Sequence, residues 1–464
     1  MVAHARGYRE SGVADVESPS PGVHLTPSAH SNEAHIPAPL LQSPGFSDHV
    51  SGSPSDTSSI LRSHWLSAFA AEAIVSRLLD DWFDKIHPLA PILLRRRFFR
   101  RLHNREADLD PMFCGLVISV CAATKATLPR RDYGPVTVEH CIQFLDTHGL
   151  LRSRFAQGCF SLDWCIAMYN MGMAMNAVSE SGLSNMRSYH ALNEAATGAR
   201  YLAYYCMHEL DEAERQLLRR LFWLLFAASC SADIFGRLSV SLMAQDRIEN
   251  FPRPQPLSDD QMEPQHESEC RESTWHGDDT SYVPGLNSLS DLFLIWQEVQ
   301  QIPKGNETPS MVGELLDKIQ RVIDNLPPEL RWRGGLSRPP NVTQGHDVQI
   351  ANLFITSLDI KSNILQRFGP AEASALEHQK IVDDLLEILY HLPQAVFDAN
   401  GSSLVPKIRD IGAAYLEQTQ LRDGATSTVA AEVARNKLER LLRKLDDLDC
   451  WLGLGVVDSP PLRR

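Results

Sequence analysis

The chain has 464 residues, of which 43% are hydrophobic and 22% are charged, and its formal net charge is −14. The length allows a large core or roughly two to three domains, and the composition is that of a globular protein. The acidic balance argues against gripping nucleic acid through the general surface, and the sequence has neither a long apolar run for a membrane span nor an apolar signal-peptide core.

The first 59 residues are predicted to form a disordered tail. Residues 1–59 contain seven prolines and twelve serines but few large apolar side chains. Ordering such a segment would bury too little surface to offset the loss of chain entropy. The folded part of the chain is therefore expected to begin near residue 60.

From residue 60 onwards the spacing of apolar residues is helical. Apolar side chains recur every three or four positions up to Ile86, and Pro88 ends this first run. Further helices are predicted near 110–125, 136–147, 160–178, 186–208, 211–235, 289–301, 308–326, 347–367, 372–391, 403–419 and 427–449. No alternation of period two is long enough to indicate a sheet. We predict an all-α protein, an irregular multi-helix bundle of about a dozen helices.

Two helix starts carry specific signals. Asp110 followed by Pro111 is an N-cap with proline in the first helical position. Asp211 and Glu214 have the spacing of a capping box, in which each side chain accepts a hydrogen bond from the other's backbone amide. Both pairs predict where a helix begins.

A segment of different composition divides the helical region. Residues 251–288 contain five prolines, eight acidic side chains and only two basic ones, which predicts an acidic, solvated linker or loop. We therefore divide the helical region into a first part, 60–250, and a second part, 289–455.

Residues 78–102 form the first of two distinctive stretches and contain His87-Pro88, Pro91-Ile92-Leu93, Arg95, Phe98 and Arg101-Leu102. With these residues the stretch resembles the opening of the middle regulatory domain of fungal zinc-cluster transcription factors. It departs from the pattern at Leu94, where the family often has His, and at Arg96, where it often has Pro.

The second stretch resembles the family's Arg-rich turn into Phe-Trp-x-x-Phe and is most similar to regulators of the starch, xylan and quinate activator type. The matching residues are Arg219-Arg220, Phe222-Trp223, Phe226, Arg237 and Phe251-Pro252. Ala227 to Cys230 and Leu238 depart from the family pattern. The large apolar side chains of this stretch lie on more than one face of its helix, which predicts a central, buried helix.

The zinc cluster that precedes this domain in the family does not occur in the sequence. Nine cysteines lie at positions 114, 121, 141, 159, 165, 206, 230, 270 and 450, and no two are separated by only two residues. A zinc cluster requires closely spaced thiolates. We therefore expect reduced, buried thiols and no metal ligands or cofactor.

A cluster of arginines, interleaved with Phe98 and Phe99, lies at the end of the first stretch and just beyond it. Its members are Arg95, Arg96, Arg97, Arg100, Arg101 and Arg105. Such a cluster can be a salt-bridged helix surface, a nuclear-import signal or a nucleic-acid contact, and the sequence leaves these three interpretations open.

The resemblance implies a transcription regulator in the nucleus rather than an enzyme. It implies activation of a secondary-metabolite gene cluster through other transcription regulators or co-regulators, with homo- or heterodimer formation as one mode. Direct DNA binding by this chain alone is not expected.

Two alternatives stay open. Asp80-Asp81-x-x-Asp84 spells the aspartate-rich motif of helical, Mg-dependent terpene synthases, although the second metal-binding motif of those enzymes is missing. The chain could also be the shortened product of a gene that encodes a zinc cluster upstream.

Overall fold

A computed structural model describes residues 65–152, 160–178, 186–242, 251–263, 280–303, 308–369, 371–420 and 428–448. Within these ranges the protein is all-α, with sixteen α-helices and no β-strand, which confirms the predicted fold class. The predicted disordered tail, 1–59, lies outside the described residues. No helix in the described ranges is long and apolar enough to cross a membrane.

The helices are numbered here in chain order. The first eight are α1 Trp65–Phe69, α2 Glu72–Asp81, α3 Arg95–His103, α4 Pro111–Thr127, α5 Val138–His148, α6 Leu162–Val178, α7 Met186–Tyr201 and α8 Glu212–Ile234. The other eight are α9 Asp259–Met262, α10 Val283–Gln300, α11 Pro309–Asp324, α12 Gln344–Phe368, α13 Ala371–His391, α14 Gln394–Asn400, α15 Val405–Gln420 and α16 Thr428–Leu448.

Both predicted helix starts are confirmed. The Asp110 carboxylate accepts a hydrogen bond from the amide of Met112 at 2.8 Å, with Pro111 in the first position of α4. Asp211 and Glu214 form the capping box of α8, with N···O distances of 2.7 and 3.0 Å. These contacts satisfy amides that the helix itself leaves without acceptors.

The first predicted helical run is interrupted by features that apolar spacing does not reveal. It consists of α1, α2 and one turn of π-helix, Trp82–Ile86, in which the His87 amide donates to the Trp82 carbonyl at 2.9 Å. The wider turn lets Trp82 and Phe83 both point into the core. A second π-turn, Leu202–Cys206, ends the run predicted at 186–208.

Helix α12 contributes to two hydrophobic cores. One side of α12 supplies Ile350 and Leu353 to a core that also contains the aromatic side chains of α8. Another side supplies Ile355 and Leu358 to a second core, built with α13 to α16. A helix buried on more than one side must satisfy its polar side chains within the protein.

Gln349 meets this requirement by joining α12 to two distant segments. Its side-chain amide donates to the carbonyls of Pro88 at 2.8 Å and Tyr282 at 2.7 Å. The close approach depends on Gly345, where a Cβ atom would lie 2.6 Å from the Tyr282 ring and 2.7 Å from Pro88. The His87-Pro88 turn is therefore fixed by the second half of the chain.

A buried polar network joins α12 to α15 inside the second core. The Lys407 ammonium donates to the Thr356 hydroxyl at 2.7 Å, and Asn363 donates to Asp410 at 3.0 Å. Burial lowers the pKa of Lys407 and raises that of Asp359, while the attraction between the two opposes both shifts. Polar contacts of this kind define one relative position of two helices.

The described parts of the predicted linker 251–288 combine exposed residues with buried apolar ones. The Phe251 ring is fully buried and stacks on Phe222 with ring centroids 3.9 Å apart. At the other end, α10 begins at Val283, which is also fully buried. The acidic composition of the segment gave no indication that these apolar residues are buried. The first core includes residues on both sides of this segment, and residues 264–279 lie outside the described part.

The predicted central helix supports a direct stability test. Trp223 and Phe226 are 3% and 0% exposed and meet edge to face at 5.3 Å. Replacing either with alanine should lower the free energy of unfolding by about 3–5 kcal/mol, because each change leaves a large cavity. Urea unfolding followed by circular dichroism measures this, with Tyr205→Ala, at a residue 69% exposed, as the control. Parent-like stability of both core variants would contradict the assignment.

Candidate functional site: the arginine helix

Helix α3 presents one aromatic side and several arginine sides. Phe98 is buried, and its ring lies 5.5 Å from that of Phe113 and 5.6 Å from that of Phe83. These contacts fix the rotation of α3 about its axis. The arginine side chains are consequently directed along its other sides, where they are 22–50% exposed.

Each of the five arginines in α3 lies within 4 Å of at least one carboxylate. The shortest contacts are Arg95–Asp84 at 2.8 Å, Arg96–Asp260 at 2.9 Å, Arg97–Asp211 and Arg97–Glu214 at 3.0 Å each, Arg100–Glu263 at 3.7 Å, and Arg101–Asp163 at 2.7 Å. The arginine helix is therefore engaged electrostatically with the chain itself.

The carboxylates come from separate elements that meet around α3. Asp84 lies in the π-turn before it, Asp163 in the first turn of α6, and Asp260 in α9. Arg97 binds both members of the α8 capping box, Asp211 and Glu214. Single exposed ion pairs contribute little to stability, but networks of partly buried pairs fix the relative positions of the elements they join.

Arg101 is the most strongly held of these side chains. It donates to Asp163 at 2.7 Å and to Glu106 at 2.9 Å, and its guanidinium carbon lies 3.9 Å from the centre of the Phe113 ring. Burial by itself would lower the pKa of Arg101, but the hydrogen bonds to both carboxylates raise it above its usual value. The side chain stays charged throughout the pH range in which proteins fold.

Arg105, the sixth arginine of the predicted cluster, lies apart from the five arginines of α3. It lies beyond α3, exposed, in the left-handed region with φ 56°, immediately before the 3₁₀ turn Glu106–Asp108. The sequence placed Arg105 in the same cluster because of proximity along the chain. The fold separates it from the ion-paired face.

Arg220 on α8 is a buried arginine that binds the turn before α3. It is 1% exposed and donates to the carbonyls of Pro91 at 3.1 Å and Leu257 at 2.9 Å, with the Asp259 carboxylate 4.0 Å away. Burial lowers its pKa to about 10, and Asp259 opposes the shift. One guanidinium thus holds together three segments that are far apart in the chain.

The stretches that carry the family resemblance meet at this point. Arg220, in the second stretch, binds Pro91, in the first. Trp223 donates to the carbonyl of Phe251 at 3.2 Å, and the Arg253 guanidinium lies 3.8 Å from the Trp223 ring. Residues of the matching stretches therefore contact one another, through hydrogen bonds to the carbonyls of Pro91 and Phe251.

The residues that depart from the family pattern occupy different environments. Leu94 is buried at the start of α3, and Arg96 is paired with Asp260. Ala227 and Cys230 are buried on α8, whereas Leu238 is 58% exposed. Leu94, Ala227 and Cys230 are therefore core residues of this protein.

Of the three aspartates of the Asp-Asp-x-x-Asp sequence, Asp80 and Asp84 both approach Arg95, whereas Asp81 binds other partners. Asp81 accepts from the Tyr133 hydroxyl at 2.7 Å and pairs with Arg131, while Asp84 pairs with Arg95. Asp80 is half exposed, and burial of the rest raises its pKa. In the described ranges, no three His, Cys, Asp or Glu side chains are grouped so that they could hold a metal ion.

The cysteines of the described part are mostly core residues. Cys114, Cys121, Cys141, Cys165 and Cys230 are buried, as predicted, and Cys206 is half-buried. Burial raises the pKa of the Cys114 and Cys141 thiols to about 12, which keeps them protonated. Cys159, Cys270 and Cys450 lie outside the described residues.

The chain matches no protein-family model, no curated protein and no solved structure. The family resemblance therefore stays a prediction based on the residues named above. Sequence reasoning identified the arginines but missed their acidic partners in α9 and the buried role of Arg220. The one available signal for Arg220 was its position three residues before Trp223, on the same side of a predicted core helix.

Arg220 and Arg219 form a matched pair for testing the buried anchor. Arg220→Met should lower the free energy of unfolding by about 2–4 kcal/mol, because it leaves two buried carbonyls without donors. Arg219→Met, which removes a neighbour 4.0 Å from Glu212, should cost less than about 1 kcal/mol. Urea unfolding of both variants compares the costs, and equal midpoints would contradict the anchoring role.

The ion pairing of α3 predicts weak DNA binding. At roughly physiological salt the isolated chain should give no sequence-specific, submicromolar shift of DNA in a gel assay, because its net charge repels phosphate and the arginines of α3 already contact carboxylates. The joint variant Arg95→Ala, Arg96→Ala, Arg97→Ala is the control. Specific binding by the parent that this variant loses would overturn the prediction.

Proposed function

We propose that this protein is a transcription regulator that acts in the nucleus through protein partners. The observation that carries the proposal is the engagement of the arginine helix by carboxylates of its own chain. This concentrated run of basic residues serves the packing of α3 against α6, α8 and α9. A regulator with this surface would reach its target genes by binding other proteins.

The family resemblance supports the same function. The matching stretches meet around Arg220 and Trp223, so the residues that define the likeness are those on which the packing of α8 depends. By this likeness the protein activates a secondary-metabolite gene cluster. Its partners are then other transcription regulators or co-regulators, including a second copy of itself or a full-length relative.

Deleting the gene tests the proposal. Transcripts of neighbouring biosynthetic genes should fall, and a tagged copy of the protein should accumulate in the nucleus. RNA sequencing and fluorescence microscopy measure these two outcomes. Unchanged neighbouring transcripts together with a wholly cytoplasmic signal would contradict the proposal, and loss of one chemical step with every transcript intact would favour the enzyme alternative.

Complementation separates this proposal from the shortened-product alternative. Expression of the 464-residue chain in the deletion strain should restore the transcripts. Restoration only by a longer genomic segment that includes upstream coding sequence would favour a full zinc-cluster factor. Arg219→Met serves as the folded control, and Trp223→Ala should fail to complement because it destabilises α8.

A further inference from the structure

A small cleft lies where the π-turn Trp82–Ile86, the end of α4 and helix α14 meet. Its volume is about 50 Å³. Lys85, Arg130 and Arg131 line the cleft together with Asp398, and Leu128 contributes an apolar wall. Three cationic side chains thus line one small cleft of a chain whose net charge is −14.

Both arginines are held in place but retain unused donors. Arg131 pairs with Asp81. Arg130 donates to the Asp447 carbonyl, and its guanidinium lies 3.9 Å from the Asp398 carboxylate. A guanidinium carries five N–H donors, so these contacts position each group without exhausting it. The side chain of Arg130 is 41% exposed and that of Arg131 is 49% exposed, so both are accessible from solvent.

Lys85 supplies the charge that the surrounding carboxylates leave uncompensated. It is half-buried and forms no ion pair with any residue of the described ranges. The carboxylates that pair with the two arginines of the cleft are those of Asp81 and Asp398. The cleft is therefore positive on balance, with an ammonium and two guanidiniums lining it.

We propose that this cleft binds a phosphate group. The cleft volume of about 50 Å³ is several times the roughly 10–15 Å³ that one water needs, so the cleft has room for a small anion. Phosphate is such an anion, and its oxygens accept the charge-assisted hydrogen bonds that guanidinium and ammonium groups donate. The site is independent of the proposed regulatory function.

Binding would connect the two cores. Lys85 follows Trp82 and Phe83, which belong to the first core, whereas the helix that carries Asp398 supplies Phe397 to the second. A phosphate held between them should stabilise the folded chain, since a ligand that binds only the native state shifts unfolding to higher temperature.

Titration calorimetry and thermal unfolding of the full chain with inorganic phosphate test the proposal, at ionic strength held constant with chloride. We expect saturable binding and a rising melting temperature. Lys85→Met and Arg130→Met should each weaken binding by about tenfold, the loss expected for one charge-assisted contact. Arg443→Met, at an arginine 73% exposed on α16, should bind phosphate like the parent.

Two further ligands define the chemistry. Acetate should bind more weakly than phosphate, and equal affinities would overturn the assignment of a phosphate site. Phenyl phosphate that binds as tightly as inorganic phosphate identifies the natural ligand as a phosphate monoester, and weaker binding identifies it as the free ion. No saturable phosphate binding up to about 10 mM, or equal binding by the Lys85→Met, Arg130→Met and Arg443→Met variants, would refute the proposal.

Discussion

The arrangement of the first half of this protein depends on a buried cation that must be satisfied. Burying a charged side chain is costly unless it is hydrogen bonded, and Arg220 meets the cost by binding the carbonyls of Pro91 and Leu257. Those two carbonyls belong to the turn before α3 and to the segment before α9. Positioning both of them also positions the arginine helix and the carboxylates that surround it.

The arginine helix shows why a basic run in a sequence does not identify a nucleic-acid site. Its charges are distributed around a helix whose remaining side is fixed by Phe98. Acidic residues from several other elements, among them the π-turn, α6, α8 and α9, approach it in the fold. Electrostatic attraction within the chain competes with attraction to phosphate. The run of arginines provides a surface at which α6, α8 and α9 meet.

Local chemistry in the sequence was sufficient for the fold class, for the starts of α4 and α8, and for the burial of Trp223 and Phe226, because caps and apolar spacing act over a few residues. The π-turn at Trp82 could not be predicted, because apolar spacing does not distinguish it from a continuing α-helix. The burial of Phe251 could not be predicted either, since its stacking partner Phe222 lies more than twenty positions away. The same holds for the site. The arginines can be identified in the sequence, whereas their pairing with Asp260 and Glu263 forms only when the chain folds.

The hydrogen bond from Gln349 to Pro88 spans 261 residues and sets a limit on how early this protein can fold during synthesis. A ribosome that adds roughly 5–20 residues per second needs about 13–52 s to cover that distance. Throughout that interval the turn at Pro88 lacks its partner on α12, and the apolar side chains that α12 covers are exposed to other nascent chains. The first half of the chain therefore needs protection from aggregation, of the kind that chaperones provide, until α12 emerges.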